Sequence, residues 1–440
     1  MMILGGLAIL SLVTVNPAYS QDYPIEPVGD VHNILPLWEQ AKVMESQLRQ
    51  RKETVLPAVM RSAGVDMWLV SRDQRSLYLS LVTANDEGLV SHRPNVLVFY
   101  DRGGDEGIET LEEDYERLED IVRSRDPKRI AVSNEARQRL ASRVGVPFGN
   151  RMISSAELRD AFLEIRSDEE MSLFEYVASL AHEIIAEAFS NKAIVPDVTT
   201  TDELNWWIRQ RYRALGLLTS DHPTITVQRS NLERPNYSES DEHFRIDIPP
   251  RNGYNTVIRR GDLIFCDTGI DYLGMGTDTQ QVAYILKHDE TEAPLGLRQA
   301  LRNTNRLQEL FAAEFAEGRR SNDAVLAALQ KARAEGLRAE IYSHPLPHFL
   351  MRYSLNGGFY SGTRHFVGPE LGGDGDRDPE PGSGSPILRN TVYAMELDTK
   401  TSVPEWGGQD VRIVLEQSVA FTRGELVFLG GRETEYYLIK

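Results

Sequence analysis

Apolar and polar positions along the chain change character near residue 165. Residues 36–62 place apolar positions at helical spacing and predict an amphipathic helix. Short apolar runs then predict strands at 67–71, 95–100 and 129–133, with a charged helical pattern over 109–125. Strands alternating with helices predict a compact α/β unit ending near residue 160. No cluster of catalytic residue types stands out in it.

A second unit opens at Ser167-Asp168-Glu169-Glu170. Ser followed three residues later by Glu is a capping-box pattern. Met171, Phe174, Val177, Leu180, Ala181, Ile184, Ile185, Ala188 and Phe189 recur behind it at helical spacing. A further helix is expected from about Thr201, and two more at about 296–317 and 322–336. Strands at about 262–268, 280–287, 391–398 and 410–421 complete an α+β unit, with long polar loops at about 228–258 and 368–387. Neither short tandem repeats nor heptads are present.

Composition narrows the function. The 440 residues are enough for two domains with cores, and 41% hydrophobic with 26% charged residues is ordinary for a globular chain. A net charge of −18 argues against nucleic acid or an anionic membrane surface as partner. Residues 1–20 hold an apolar stretch from Ile3 to Val15 and small residues at Ala18 and Ser20, although no Lys or Arg precedes it. This is a secretory-signal pattern; a mature chain from about Gln21, periplasmic or secreted, is expected. The run is too short for a stable membrane span. The single cysteine, Cys266, excludes an intramolecular disulfide and reads as a small buried hydrophobe.

Four acidic residues stand inside apolar strand patterns: Asp267 after Leu-Ile-Phe-Cys, Asp278 before Val282–Leu286, Glu396 in Val-Tyr-Ala-Met-Glu-Leu, and Glu416 in Val-Arg-Ile-Val-Leu-Glu. Each unpaired buried ion costs several kcal/mol. Arg412 could answer one of them. Two divalent cations would balance all four, and a histidine would complete the set. Oxygen-rich ligation with one imidazole suits Mn²⁺, Fe²⁺, Co²⁺ or Zn²⁺. A pair of such ions does hydrolytic chemistry on amides and esters. From the residues alone, this reading and a set of structural ion pairs both stand.

The sequence resembles the metallopeptidases of the creatinase, prolidase, aminopeptidase P and methionine aminopeptidase family. The segment Gly261-Asp-Leu-Ile-Phe-Cys-Asp267-Thr-Gly269 resembles the strand bearing its first aspartate. Tyr272-Leu-Gly274 with Thr277-Asp278-Thr279 resembles the second, eleven positions on (278 − 267). Ala394-Met-Glu396 and Val411-Arg412-Ile-Val-Leu-Glu416 resemble its two glutamate strands, the latter with two extra residues between arginine and glutamate. Arg166-Ser-Asp-Glu-Glu170 resembles the start of its catalytic domain.

The resemblance implies a signal peptide (1–20), an α/β creatinase-like N-terminal domain (21–163) and an α+β pita-bread catalytic domain (164–440). It implies two divalent ions, Mn²⁺ foremost, with Asp267 and Asp278 on one and Asp278 and Glu416 bridging. His365, followed by Phe-Val-Gly368, fits the family's ligand histidine and joins Glu396 on the other ion; His348 is the alternative or a substrate contact. His344 would steady an oxyanion, Glu396 or Glu416 would relay a proton, and Arg412 would orient a carboxylate beside the substrate.

Two departures follow. About twenty residues separate His344 from His365, and no histidine lies in Gly372-Gly373-Asp374, where the family tends to place a proton shuttle. The implied activity is removal of N-terminal residues from peptides at Xaa-Pro bonds, by a homodimer. A prolidase-type dipeptidase and a catalytically silent peptide-binding member are the alternatives; the four carboxylates argue against a metal-free creatinase-like enzyme. Asp374-Gly-Asp376-Arg-Asp378 reads as a solvated loop, Trp206-Trp207 as helix packing, and His222 or His243 as a distant candidate for substrate contact.

Overall fold

The computed structural model describes residues 34–74, 77–78, 81, 94–217, 223–232, 255–346, 352–353, 359–360, 371–372 and 378–440. Residues 1–20, expected to be a signal segment, and His222, His243, His348, His365, Asp374 and Asp376 lie outside the described residues.

The first sheet comprises β1 (Met67–Ser71), β2 (Val96–Asp101), β3 (Ile108–Glu113), β4 (Ile130–Val132) and β5 (Met152–Ser154), in the order β3-β2-β1-β4-β5. The central strand β1 is buried along its whole length, because helices cover both faces. The expected helical pattern over 109–125 divides instead into the edge strand β3 and a helix at Leu118–Arg125. An edge strand tolerates charge on its open side. Glu109 uses that freedom to pair with Arg102 and Arg125.

The 36–62 helix is continuous apart from one wider turn at Arg51–Val55. That turn carries Arg51, which is 2% exposed, into the junction between the two halves of the chain. Arg51 donates to Glu170 Oε2 at 2.7 Å, to the Ile165 carbonyl at 2.8 Å and to the Phe162 carbonyl. Glu170 also accepts from the Ser167 amide, closing the capping box that starts the helix Asp168–Ala188. A second box, Thr200 with Glu203, starts the helix Thr201–Leu215. Trp207 packs on the core from this helix, but Trp206 stands 57% exposed beneath the Arg209 guanidinium, so only one of the pair is packing.

The larger sheet takes in β6 (Thr224–Gln228), β7 (Leu263–Thr268), β10 (Thr279–Ile285), β11 (Arg338–Pro345), β14 (Leu371–Gly372), β15 (Thr391–Val403), β16 (Gln409–Thr422), β17 (Glu425–Phe428) and β18 (Tyr437–Ile439). Two short hairpin pairs stand apart: β8 (Asp271–Tyr272) with β9 (Met275–Gly276), and β12 (Arg352–Tyr353) with β13 (Phe359–Tyr360). The main path runs β14-β11-β15-β16-β10-β7-β6, with β17 beside β16 and β18 beside β10. Helices Asp168–Ala188 and Thr201–Leu215 share one buried cluster with it; Leu295–Ala312 and Ser321–Ala334 contribute to others. The result is a large, mainly antiparallel sheet with helices packed against it, beside a smaller mixed α/β sheet.

Several strands escape the sequence pattern, above all β11. Its sequence, Arg-Ala-Glu-Ile-Tyr-Ser-His-Pro, has no apolar run and only partial burial. Pairing with β15 makes it a strand. That pairing positions the site.

Candidate metal centre

The four carboxylates meet because of strand register. Gln280 on β10 is paired with Asp267 on β7 and with Glu416 on β16, and Glu416 is paired with Glu396 on β15. One row across four strands therefore carries three of the acids, and Asp278 enters it from the position just before β10. Between the aspartates, β8 and β9 form a tight hairpin. The Ile270 and Thr277 backbones bond at 3.0 Å, and the Thr277 hydroxyl accepts from the Ile270 amide at 3.1 Å. A Cβ at Gly269 would lie 2.1 Å from the Thr277 carbonyl oxygen, so only glycine admits this closure. The turn is also held from outside, by the Leu35 amide on the Tyr272 hydroxyl at 2.9 Å.

His344 arrives from β11. Between its pairs Ile341↔Leu397 and His344↔Ala394, this strand pairs with β14 through Tyr342 and Ser343. The Ser343 hydroxyl bridges the gap, accepting from the Glu396 amide at 2.9 Å and donating to its carbonyl at 3.0 Å. His344 Nε2 then lies 2.6 Å from Glu396 Oε1 and 3.5 Å from Asp278 Oδ2. Its Nδ1–H donates to the Pro345 carbonyl at 3.0 Å, which leaves Nε2 as the atom that faces the acids. A backbone carbonyl on the far ring nitrogen is the support that metal-binding imidazoles ordinarily have.

Two overlapping groups result. Asp278, His344 and Glu396 bring ligand atoms within 4.8 Å of one another, and so do Asp267, Asp278 and Glu416. Asp278 is common to both.

The electrostatics are those of a cation site. Burial and the neighbouring charges of Glu396, Asp267 and Asp278 all push the Glu416 carboxyl well above the usual range, with nothing among the described residues pulling it down. Burial raises Glu396 too, against the opposing pull of His344. Burial disfavours the imidazolium of His344, but hydrogen bonds to Asp278 and Glu396 overcome it and hold the ring up to about 11. Carboxylates gathered so closely without a strong positive charge repel one another. A pair of divalent cations displacing the imidazole proton relieves that repulsion, so the donor set fits the ions expected from the sequence.

Arg412 takes another part. Its guanidinium donates to Asp398 Oδ2 at 2.5 Å and lies 3.8 Å from Glu340, while its backbone is bracketed by the Gln228 side chain. Asp398 lies two residues beyond Glu396 on β15, so Arg412 braces the wall of the site through a neighbour. The expected buried hydrophobe at Cys266 is fully buried, and burial pushes its thiol up, which leaves it inert. The contribution of β11 was not legible in the sequence; its one signal was His344 itself, closing the polar Tyr-Ser-His stretch.

A sheet that brings four acids and one imidazole to a common point defines a class: a hydrolytic centre for two divalent cations. Residues 172–423, more than half of the chain, match the model of metallopeptidase family M24, and the protein belongs to that family. Similar solved structures include an X-Pro aminopeptidase from Thermotoga maritima MSB8 (TM-score 0.54, 15% identity, covering 87% of this chain and 99% of that one). Others are a dipeptidase from Pyrococcus horikoshii OT3 (0.52, 15%, 88% and 100%) and the dipeptidase PepE from Mycobacterium ulcerans (0.51, 13%, 90% and 98%). At these identities the likeness is one of fold. No curated protein matches. No helix among the described residues is long and apolar enough to cross a membrane.

Proposed function

We propose that the protein is a dinuclear metallo-aminopeptidase that releases the first residue of peptides with proline in second position. The observation that carries this is the pair of three-residue groups sharing Asp278. A carboxylate within reach of both groups suits a site for two ions a few ångströms apart. The Xaa-Pro preference is supported by the fold shared with the Thermotoga maritima X-Pro aminopeptidase. The sequence expectation of an exported chain accompanies this reading.

Asp267, Asp278 and Glu416 would hold one cation, and Asp278, Glu396 and His344 the other. This reading gives His344 the role that the family resemblance implied for His365, which lies outside the described residues. Bound divalent ions supply Lewis acidity toward an amide carbonyl and lower the pKa of water beside it. The chain's own groups do the rest. Glu396 lies at 2.6 Å from His344, and its carboxyl is raised by burial. It is placed to accept the proton of the attacking water and to deliver it to the leaving amine as the C–N bond breaks. Arg412 and Asp398 keep the strand beneath it rigid.

The test is metal content together with Mn²⁺-dependent release of the first residue from an Xaa-Pro peptide, beside Asp278→Ala. Wild type should take up two ions and turn over, and Asp278→Ala should do neither. Absence of metal from wild type, persisting on titration, would sink the dinuclear reading. Bound metal without turnover would mark a binding protein, and cleavage confined to dipeptides a dipeptidase. Comparing His344→Ala with His365→Ala assigns the imidazole: the first should lose the ion and the second keep it.

A further inference from the structure

β10, which Asp278 leads into, and β16, which carries Glu416, are barely joined by their own backbones. β10 and β16 share a single paired position, Gln280 with Glu416, before β10 turns to pair with β18. By contrast β15 and β16 are paired over their whole length, from Thr391↔Phe421 to Val403↔Gln409. A centre that depends on the spacing of Asp278 and Glu416 therefore lies across the weakest seam of the sheet.

Behind that seam runs a buried chain of side-chain hydrogen bonds. Gln417, next to Glu416, accepts from Gln308 Nε2 at 3.1 Å. The Gln308 oxygen accepts in turn from Asn305 at 3.1 Å and from Arg432 Nε at 2.9 Å. Asn305 also donates to the Glu433 carbonyl at 2.8 Å. The Glu433 side chain closes the path, accepting from the Val282 amide on β10 at 3.0 Å. Gln308, Gln417 and Glu433 are each at most 2% exposed. Arg432, adjacent in sequence, directs its guanidinium to Gln308, the Asn305 carbonyl and Glu309. Among the described residues, the Glu433 carboxyl meets a backbone amide and no ion-pair partner. A fully buried carboxyl in that situation is retained at a cost that packing with an apolar residue would avoid.

We propose that Glu433 is a positioning residue for the metal centre, closing a buried bracket that sets the distance between the strand of Asp278 and the strand of Glu416. It touches neither substrate nor reacting atoms. Its carboxyl fixes Val282, four residues beyond Asp278, and its main chain is fixed to the helix Leu295–Ala312, which holds Gln417 through Gln308. The bracket replaces the ladder bonds that β10 and β16 lack. Burial pushes the carboxyl well up, and glutamine should reproduce its shape and its acceptor.

This inference rests on the dinuclear reading for its metal readout, and amide exchange supplies a readout independent of metal. The variants are Glu433→Gln, Glu433→Ala and Gln308→Ala, with Leu140→Ala, in the core beside the first sheet, as a destabilised control. Mn²⁺ affinity is measured by titration and deuterium uptake on the peptide covering residues 279–285. Glu433→Ala and Gln308→Ala should each lose about tenfold in Mn²⁺ affinity, the effect typical of groups that orient metal ligands, and should speed exchange in 279–285. Glu433→Gln should restore both, and Leu140→Ala should leave both at the wild-type value. If Glu433→Ala fails to fold, Gln308→Ala carries the same comparison. Wild-type affinity and exchange in the folded bracket variants would overturn the proposal, as would equal losses in Leu140→Ala. If wild type binds no Mn²⁺, the dinuclear reading fails, and exchange in 279–285 alone decides for or against the bracket.

Discussion

Replacing Glu416 by glutamine should make the metal-free protein more stable while destroying its capacity for metal. Glu416 is 7% exposed, and its ligand oxygen lies within 4.8 Å of those of Asp267 and Asp278. Two ionised carboxylates at 4.8 Å repel by about 3.5 kcal/mol at an effective dielectric of about 20. The folded protein escapes part of this by keeping Glu416 protonated. The folded-state pKa is thus raised above the unfolded value of 4.5, because burial and the charges of Glu396, Asp267 and Asp278 all act in that direction. Stability from this proton is complete below pH 4.5 and is lost as pH rises toward the folded pKa. In the absence of metal, Glu416→Gln and wild type should therefore unfold at similar urea concentrations at pH 4. At pH 8 the variant should be more stable, by up to about 3 kcal/mol. Metal reverses the order: at a thousand times its dissociation constant, Mn²⁺ should stabilise wild type by about 4.1 kcal/mol and the variant far less. The assay is urea unfolding at both pH values, with and without Mn²⁺. A variant no more stable than wild type at pH 8 without metal would refute the repulsion on which the site's assignment rests.

Three other outcomes are expected. Glu164 accepts from the Tyr393 hydroxyl, and burial pushes its carboxyl to about 8; its stabilising proton is fully present below pH 4.5 and lost as pH rises through about 8. Glu164→Gln should accordingly remove a decline of roughly 4 kcal/mol at most between those limits, read from urea midpoints against pH. Arg51→Met deprives the buried Glu170 of its ion pair at 2.7 Å and should cost about 3 kcal/mol, part of which the added Glu170→Gln change should restore; equal stability of single and double variants would contradict this. Tyr272→Phe removes the acceptor of the Leu35 amide over the aspartate hairpin and should cost about 1 kcal/mol in chemical denaturation, an unchanged midpoint showing that the segment before residue 36 does not brace the turn.

Much of the molecule was written into local sequence. The capping box at Ser167, the helix behind it and the four acids in apolar strands each declare themselves within a dozen residues, because periodicity and desolvation are local constraints. The hairpin between Asp267 and Asp278 is equally local, closed by Gly269 and Thr277. Sequence alone set the question of chemistry: four carboxylates in apolar surroundings that either cations or ion pairs had to answer, with the family resemblance favouring cations. Which of these groups come close enough to share a cation depends on the tertiary structure. Register across β7, β10, β16 and β15 lines up residues as far apart as Asp267 and Glu416. The β11–β15 pairing brings His344 to Glu396 from a segment with no strand pattern of its own. The same holds for Arg412, whose partner is the cross-sheet Asp398, and for Glu433, which meets Val282 from the end of the chain. Such contacts depend on strand order and register, which are set by the whole sheet's packing, and no window of sequence contains them.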